Sequence, residues 1–333
     1  MRIVALEEHF NLPDLVAGIP AESIAAWGWP AQFPPHMRRD EALADLGAGR
    51  LADMDAAGVT VQVLSTVGPG ADLLQGQAAV AFARATNDRL AAAVGRRPDR
   101  LAGFAHLPLS EPSAAADELE RAVTELGFRG AMVHGMAMGR RFLDHPSFEP
   151  LLARAEALNA PLYMHPGLPP PAVREAYFQD LSEHVGFQLA TAGWGWHAET
   201  ALHVLRLVLN GVLDRHRGLK LIVGHMGEGL PAMMARVDKV FTPMTSAYLS
   251  RTITGALLDQ LWITTSGFFD LPSFMAGLLT FGPDRILFSV DYPFAPNAVA
   301  RPYLEGLPLS PADRAKIAHG NADALLGLTP AAG

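Results

Sequence analysis

Short apolar runs alternate along this chain with longer stretches whose apolar residues recur at helical spacing. The first run, Ile3 to Leu6, has the composition of a central strand covered on both faces, and it continues into Glu7, Glu8 and His9. Further strands are expected at VTVQVLSTV (59–67), LAGFAHLPL (101–109), GAMVHG (130–135), PLYMHPG (161–167), LKLIVGHMGE (219–228), LWITTSGF (261–268) and RILFSVDYPF (285–294). Helices are expected over 41–57, 76–95, 112–127, 147–159, 199–216, 229–241, near 272–281 and over 310–327. Gly58 stops the first of these, and Ser110 is offered as the cap of the third. Two segments break the rhythm. Residues 11–40, with Trp27, Trp29 and Phe33, form a Pro-rich excursion placed where an active-site lid would be. Residues 168–198 form a second irregular loop holding Trp194, Trp196 and His197. Eight strands, nearly all followed by a helix, predict an α/β chain folded as a single (β/α)8 TIM-type barrel domain over 1–333, with long irregular loops after strands 1 and 5. A doubly wound sheet would share the alternation, but no Gly-rich phosphate-binding turn follows any strand.

Composition narrows the partners. Half of the 333 residues are hydrophobic, so a large core is available. A net charge of −8 without any Lys/Arg block argues against nucleic acid or an anionic membrane surface. The absence of cysteine removes thiolate metal sites and cysteine nucleophiles. Glu7, Glu8 and His9 interrupt any signal-peptide core, and no apolar run approaches the ~20 residues of a spanning helix. A cytoplasmic enzyme is the expectation.

Barrel enzymes carry their active sites at the C-terminal ends of the strands. The polar residues found there are Glu7 and His9 on strand 1, His165 on strand 5, His225 on strand 6 and Asp291 on strand 8. Alternation sets Glu7 and His9 on one strand face and Glu8 on the other. Any one of these has a dull explanation as a hydrogen-bonded strand end; in a barrel all five converge on one mouth. Glu7, His9, His165 and Asp291 make a mixed nitrogen and oxygen site that a divalent ion would neutralise; such ligands suit zinc, manganese or iron, with zinc or manganese as the expectation. His225 is left as an acid/base or substrate contact, and Glu228 is placed to orient its imidazole.

These motifs resemble the amidohydrolase superfamily, in its aminocarboxymuconate-semialdehyde decarboxylase-like branch, and within it the dihydroxybenzoate, γ-resorcylate and carboxyvanillate decarboxylases. The carriers are ALEEHF (5–10), RLADMDAAGVTVQVLS (50–65), PLYMHP (161–166), GWGWHAETALHVLRLVLNGVLDR (193–215), GHMGEGLP (224–231), FSVDYPF (288–294) and HGNA (319–322). Carried over, Glu7, His9, His165 and Asp291 match the family's metal ligands, and His225 and Glu228 its motif His and Glu. Arg236 matches a basic residue near the substrate, a surface or structural salt bridge being the alternative. Two departures stand out: Gly167, where decarboxylases often carry a basic or polar residue, and His134, where relatives tend to have Asn. The resemblance also implies a homodimer or homotetramer.

The reaction implied is non-oxidative decarboxylation of an ortho-hydroxylated aromatic carboxylic acid. The metal would chelate carboxylate and phenolate, Asp291 would protonate the ring carbon, and His225 would support the phenolic oxygen or relay the proton. Such an acid needs its pKa raised, which burial favours and the cation opposes. Trp27 and Trp194, with Trp29, Phe33 and Trp196, are candidates to line a slot for a planar ring. The rival reading is a metal-dependent hydrolase or hydratase on the same scaffold, with Asp291 as base.

Overall fold

The computed structural model describes residues 1–29, 38–137 and 140–328, so Phe33 lies outside the described residues. The strands are β1 (Val4–Phe10), β2 (Val61–Thr66), β3 (Leu101–Gly103), β4 (Ala105–His106), β5 (Ala131–His134), β6 (Leu162–His165), β7 (Leu221–Val223), β8 (Leu261–Thr264) and β9 (Ile286–Leu287). They pair in parallel and in chain order, as an arc β1-β2-β3 and an arc β4 to β9. The arcs form the (β/α)8 barrel that the alternation predicts.

Both seams between the arcs have a local cause. The run 101–109 divides its bonds between two neighbours: Phe104 N–H donates to Leu64 O, and Ala105 N–H to Gly130 O, each at 2.9 Å. At the other seam His9 N–H donates to Tyr292 O at 2.7 Å. The Ser289 hydroxyl oxygen accepts from the N–H groups of Leu6 and Glu7 at 3.2 and 3.1 Å.

A register shift in β1 decides which side chains enter the barrel. Val4 and Leu6 pack inside with Val61, Val63, Phe104, Tyr163 and Ile222, while Ile3 and Ala5 join the outer core beneath the helices. Strict alternation would next turn Glu8 inward. Between Ala5 and Glu8 the pairing with β2 slips by one residue. This bulge reverses the phase, so Glu7 and His9 face the interior and Glu8 faces outward.

Several element boundaries differ from the pattern. The stretch 41–57 is two helices, Asp40–Ala44 and Ala48–Ala57, because Asp45 takes the N–H groups of Gly47 and Arg50 at 2.7 and 2.8 Å. Ser110 is not a cap: Glu111 holds that position before Pro112–Thr124, and Ser110 Oγ is buried without a hydrogen-bond partner among the described residues. The loop 168–198 contains the helices Pro171–Phe178 and Glu183–Ala190, the first opened by proline at its first position. Ile253–Gln260 is an additional helix capped by Thr252, and Ala300–Gly306 is another. No helix among the described residues is long and apolar enough to cross a membrane.

His203, on the helix Gly195–Leu209, makes the fold acid-sensitive. Its Nε2 accepts the Leu143 N–H at 2.8 Å, and burial lowers its pKa from 6.5 to about 3. The unfolded chain therefore binds a proton that the folded chain refuses as pH drops below 6.5, and stability falls with it. Between pH 7 and 4.5 the metal-free wild type should lose about 2 kcal/mol more than His203→Gln, whose amide oxygen still accepts from Leu143. Urea midpoints at the two pH values measure this, and equal losses would refute it.

Candidate active site

The inward phase of β1 brings Glu7 and His9 against the end of β6. Glu7 Oε1 stands 3.1 Å from His165 Nε2 and 3.7 Å from His225 Nε2. His9 Nε2 stands 3.2 Å from Asp291 Oδ1, and the His9 and His165 ring centroids are 4.9 Å apart. His165 Nδ1 lies 2.7 Å from Pro166 O, a carbonyl that can only accept. The proton of a neutral ring is therefore on Nδ1, and the Nε2 lone pair points at a carboxylate oxygen. Glu7 Oε1 and His9 Nε2 are both buried with no hydrogen-bond partner among the described residues. Lone pairs gathered in this way, from two carboxylates and two imidazoles without sulfur, fit a divalent cation.

The other half of Glu7 is fixed by donors. Tyr163 and Ser266 both donate their hydroxyl protons to Oε2, and Tyr163 lies 2.8 Å from Thr264 Oγ1. Gly224 admits this oxygen, since a Cβ there would sit 2.5 Å from Oε2. Burial raises the Glu7 pKa, but His225, His165 and His9 outweigh it and hold the carboxyl well below its usual range. Glu8, on the outer face, accepts from the N–H groups of Val290 and Tyr292 at 2.8 and 3.2 Å and so brackets Asp291 from both sides. Arg50, buried beneath β1, donates to His9 O at 2.6 Å and to Gln62 Oε1 at 3.0 Å.

Beyond β7 the backbone turns sharply. His225, Met226 and Glu228 have φ of 47°, 53° and 56°, and Asp291 has 72°. Such left-handed conformations in non-glycine residues are strained and gather at functional sites. The turn places His225 Nδ1 2.8 Å from Glu228 Oε1 and His225 Nε2 3.8 Å from Asp291 Oδ2. Burial lowers the His225 pKa, but Glu228, Glu7 and Asp291 overcome it and keep the imidazole well above its ordinary range. Burial raises the Asp291 carboxyl, yet His225 and His9 hold it low.

Of the residues singled out from the sequence, Glu7, His9, His165, His225, Glu228 and Asp291 meet at this mouth. Arg236 does not join them; it is exposed on Leu230–Thr245, whose buried face is Leu230, Met234 and Val237. Trp194 is 65% exposed at the N-terminus of Gly195–Leu209, and Trp196 instead lies 6.5 Å from the His165 ring. Trp27 ends the helix Ala21–Trp27, where its carbonyl accepts from Arg174 at 2.5 Å, tying the two long loops together. Gly167 is explained by a backbone crossing, because a Cβ there would lie 2.8 Å from Gly135 Cα. Sequence reasoning gave no role to His197, whose Nδ1 is 2.5 Å from Glu228 Oε2, or to Phe268 and Phe294, whose rings lie 5.8 Å from those of His225 and His9. The Phe-Phe after SG and the Phe closing DYPF follow strand ends directly, and that position was the available signal.

The fold and sequence are shared with known proteins. A family model described as amidohydrolase matches residues 9–328. A γ-resorcylate decarboxylase of Rhodococcus jostii is 36% identical over 98% of both chains. The crystal structure of a dihydroxybenzoic acid decarboxylase from a Polaromonas species, with bound manganese and the inhibitor 2-nitroresorcinol, superposes with a TM-score of 0.85 at 35% identity, covering 98% of this chain and 97% of the other. That of 5-carboxyvanillate decarboxylase from Sphingomonas paucimobilis gives 0.89 at 28% identity over 98% and 99%.

Manganese at saturating concentration should raise the melting temperature of metal-stripped protein by several degrees, as binding at a thousand times Kd adds about 4 kcal/mol. Glu7→Gln should abolish the rise and the bound metal found by elemental analysis. An unchanged rise in that variant would place the ion elsewhere.

Proposed function

This chain belongs to the amidohydrolase family, and from that premise we propose that it is a metal-dependent decarboxylase of an ortho-hydroxylated aromatic carboxylic acid. The observation that carries the reading is the gathering of Glu7, His9, His165 and Asp291, groups able to hold an ion, beside a His225 imidazole that stands 2.8 Å from Glu228. Glu7, His9, His165 and Asp291 hold the ion, manganese being the one bound in the Polaromonas enzyme. When bound, it supplies fixed positive charge that orients the acid and offsets its negative charge.

The ring carbon that bears the carboxylate takes up a proton, and the bond to the carboxyl carbon then breaks as CO2 leaves. The electron pair of that bond returns to the ring, so one proton consumed balances the reaction. His225 stores this proton, held there by Glu228 on its Nδ1 side. Asp291, 3.8 Å from His225 Nε2, passes it to the ring carbon. Trp196, Phe268 and Phe294 supply apolar walls for a planar ring and limit water around the proton donor. Assembly as a homodimer or homotetramer is part of this reading, supported by the exposed Tyr177, Leu181, Val185 and Leu189 on and between neighbouring helices.

The manganese-loaded protein, incubated with 2,6-dihydroxybenzoate, 2,3-dihydroxybenzoate and salicylate, should release CO2 and the matching phenol from at least one of them. His225→Asn should lower kcat roughly 10²- to 10⁴-fold with KM little changed. Full activity in metal-free protein, or a product that keeps every carbon and gains water, would overturn the proposal.

A further inference from the structure

One cluster at the barrel mouth is used neither by the metal ligands nor by the His225 turn. His134 ends β5 directly opposite His165 in the β5–β6 register, with ring centroids 4.9 Å apart. Its side chain is only 9% exposed, yet neither ring nitrogen meets a hydrogen-bond partner among the described residues. Asp72, in the turn Ala71–Leu73 after β2, brings Oδ2 to 3.9 Å from His134 Nδ1. His106, on β4, completes the group at 6.2 Å between ring centroids.

A second cation is a poor occupant. His106 Nε2 accepts the Ala71 N–H at 2.9 Å, so the other nitrogen of its neutral ring carries the proton and offers no lone pair. Only two ligands would then remain. A neutral ligand group that both donates and accepts suits the cluster better, since unpaired buried nitrogens are destabilising and His134 retains at least one N–H in any protonation state.

Position says what kind of molecule brings that group. The metal ligands and His225 come from β1, β6, the turn after β7 and the turn after β9, whereas Asp72 and His134 come from the β2-to-β5 side of the same mouth. An aromatic acid anchored by its carboxylate end at the first set presents its remaining edge toward the second. We propose that His134 and Asp72 form a recognition subsite for a second phenolic hydroxyl on the substrate ring. The inference rests on the aromatic-acid reading above and adds a substituent to it. The hydroxyl pairs with a His134 nitrogen and with an Asp72 oxygen. A ring that carries only hydrogen at that position leaves both groups unpaired, and binding falls accordingly.

The test is calorimetric binding to the manganese-loaded protein of salicylate and of the four dihydroxybenzoates that keep one hydroxyl ortho to the carboxylate. At least one dihydroxy isomer should bind about tenfold or more tightly than salicylate. His134→Phe should bring that preference to within about twofold while leaving the manganese-induced thermal shift unchanged. Asp72→Asn, which keeps a polar group, should weaken the preference in part, and His134→Asn should retain more of it than His134→Phe. No preference in the wild type, or a full preference in His134→Phe, overturns the subsite. A preference that depends on His134 without turnover would keep the subsite and remove the decarboxylase reading; turnover without any preference would do the opposite.

Discussion

Carboxylates and imidazole lone pairs that face one another in a place closed to water are the constraint on which this molecule depends. Glu7 is wholly buried, and one of its oxygens stands 3.1 Å from His165 Nε2. Among the described residues that oxygen meets no hydrogen-bond donor in bonding geometry. Its surroundings follow from the resulting demand for positive charge. Tyr163 and Ser266 saturate the second oxygen, a missing Cβ at Gly224 makes room for it, and left-handed backbone at His225 and Asp291 turns the remaining donors toward the same point. Glu228 and Glu7 favour the charged form of the His225 imidazole, and a divalent ion would meet the remaining demand.

The division of labour between adjacent residues in β1 comes from its bulge. Glu7 and Glu8 are chemically the same, both fully buried, and separated by one peptide bond. One extra residue opposite β2 sends Glu7 into the barrel to face imidazoles and leaves Glu8 among backbone N–H groups. Their titration diverges accordingly: burial drives the Glu8 pKa well up, whereas the three histidines around Glu7 drive its pKa well down. Glu8 still serves the site, because the two amides it holds flank Asp291.

How much of this the sequence exposed depended on whether a residue's direction is set by periodicity. Strand ends are marked by the apolar runs before them, so Glu7, His9, His165, His225 and Asp291 could be placed at one mouth, although a bulge in β1 and left-handed turns after β7 and β9 set where Glu7, His9, His225 and Asp291 point. Loops are not periodic. Trp194 and Trp196 were indistinguishable in GWGWH, and only the fold shows that the second faces His165 while the first faces solvent. Arg236 carried a helical position but no sign of which face was covered. The helices Pro171–Phe178 and Glu183–Ala190 were hidden because proline before the first and a short polar link between them resemble a loop. His197 was hidden for another reason: its partner Glu228 is 31 residues away on a different element.

The seam that closes the barrel joins the first residues of the chain to some of the last. Leu6, Glu7 and His9 use Ser289 and Tyr292, and Glu8 uses the amides of Val290 and Tyr292, contacts that span 282 to 284 residues where the bonds run between Glu7 or Glu8 and this turn. At ribosomal speeds of about 5–20 residues per second, β1 waits roughly 15–55 s between its own synthesis and that of its partners. Through that interval the β1 segment, which ends in two acids, has only β2 of its two neighbours in the finished barrel. The acids then have a second use. Glu7 and Glu8 keep the open edge charged and poorly suited to pairing with strands of other chains until residues 289–292 emerge. The same carboxylates that define the mouth of the finished barrel thus guard its first strand while the barrel is still incomplete.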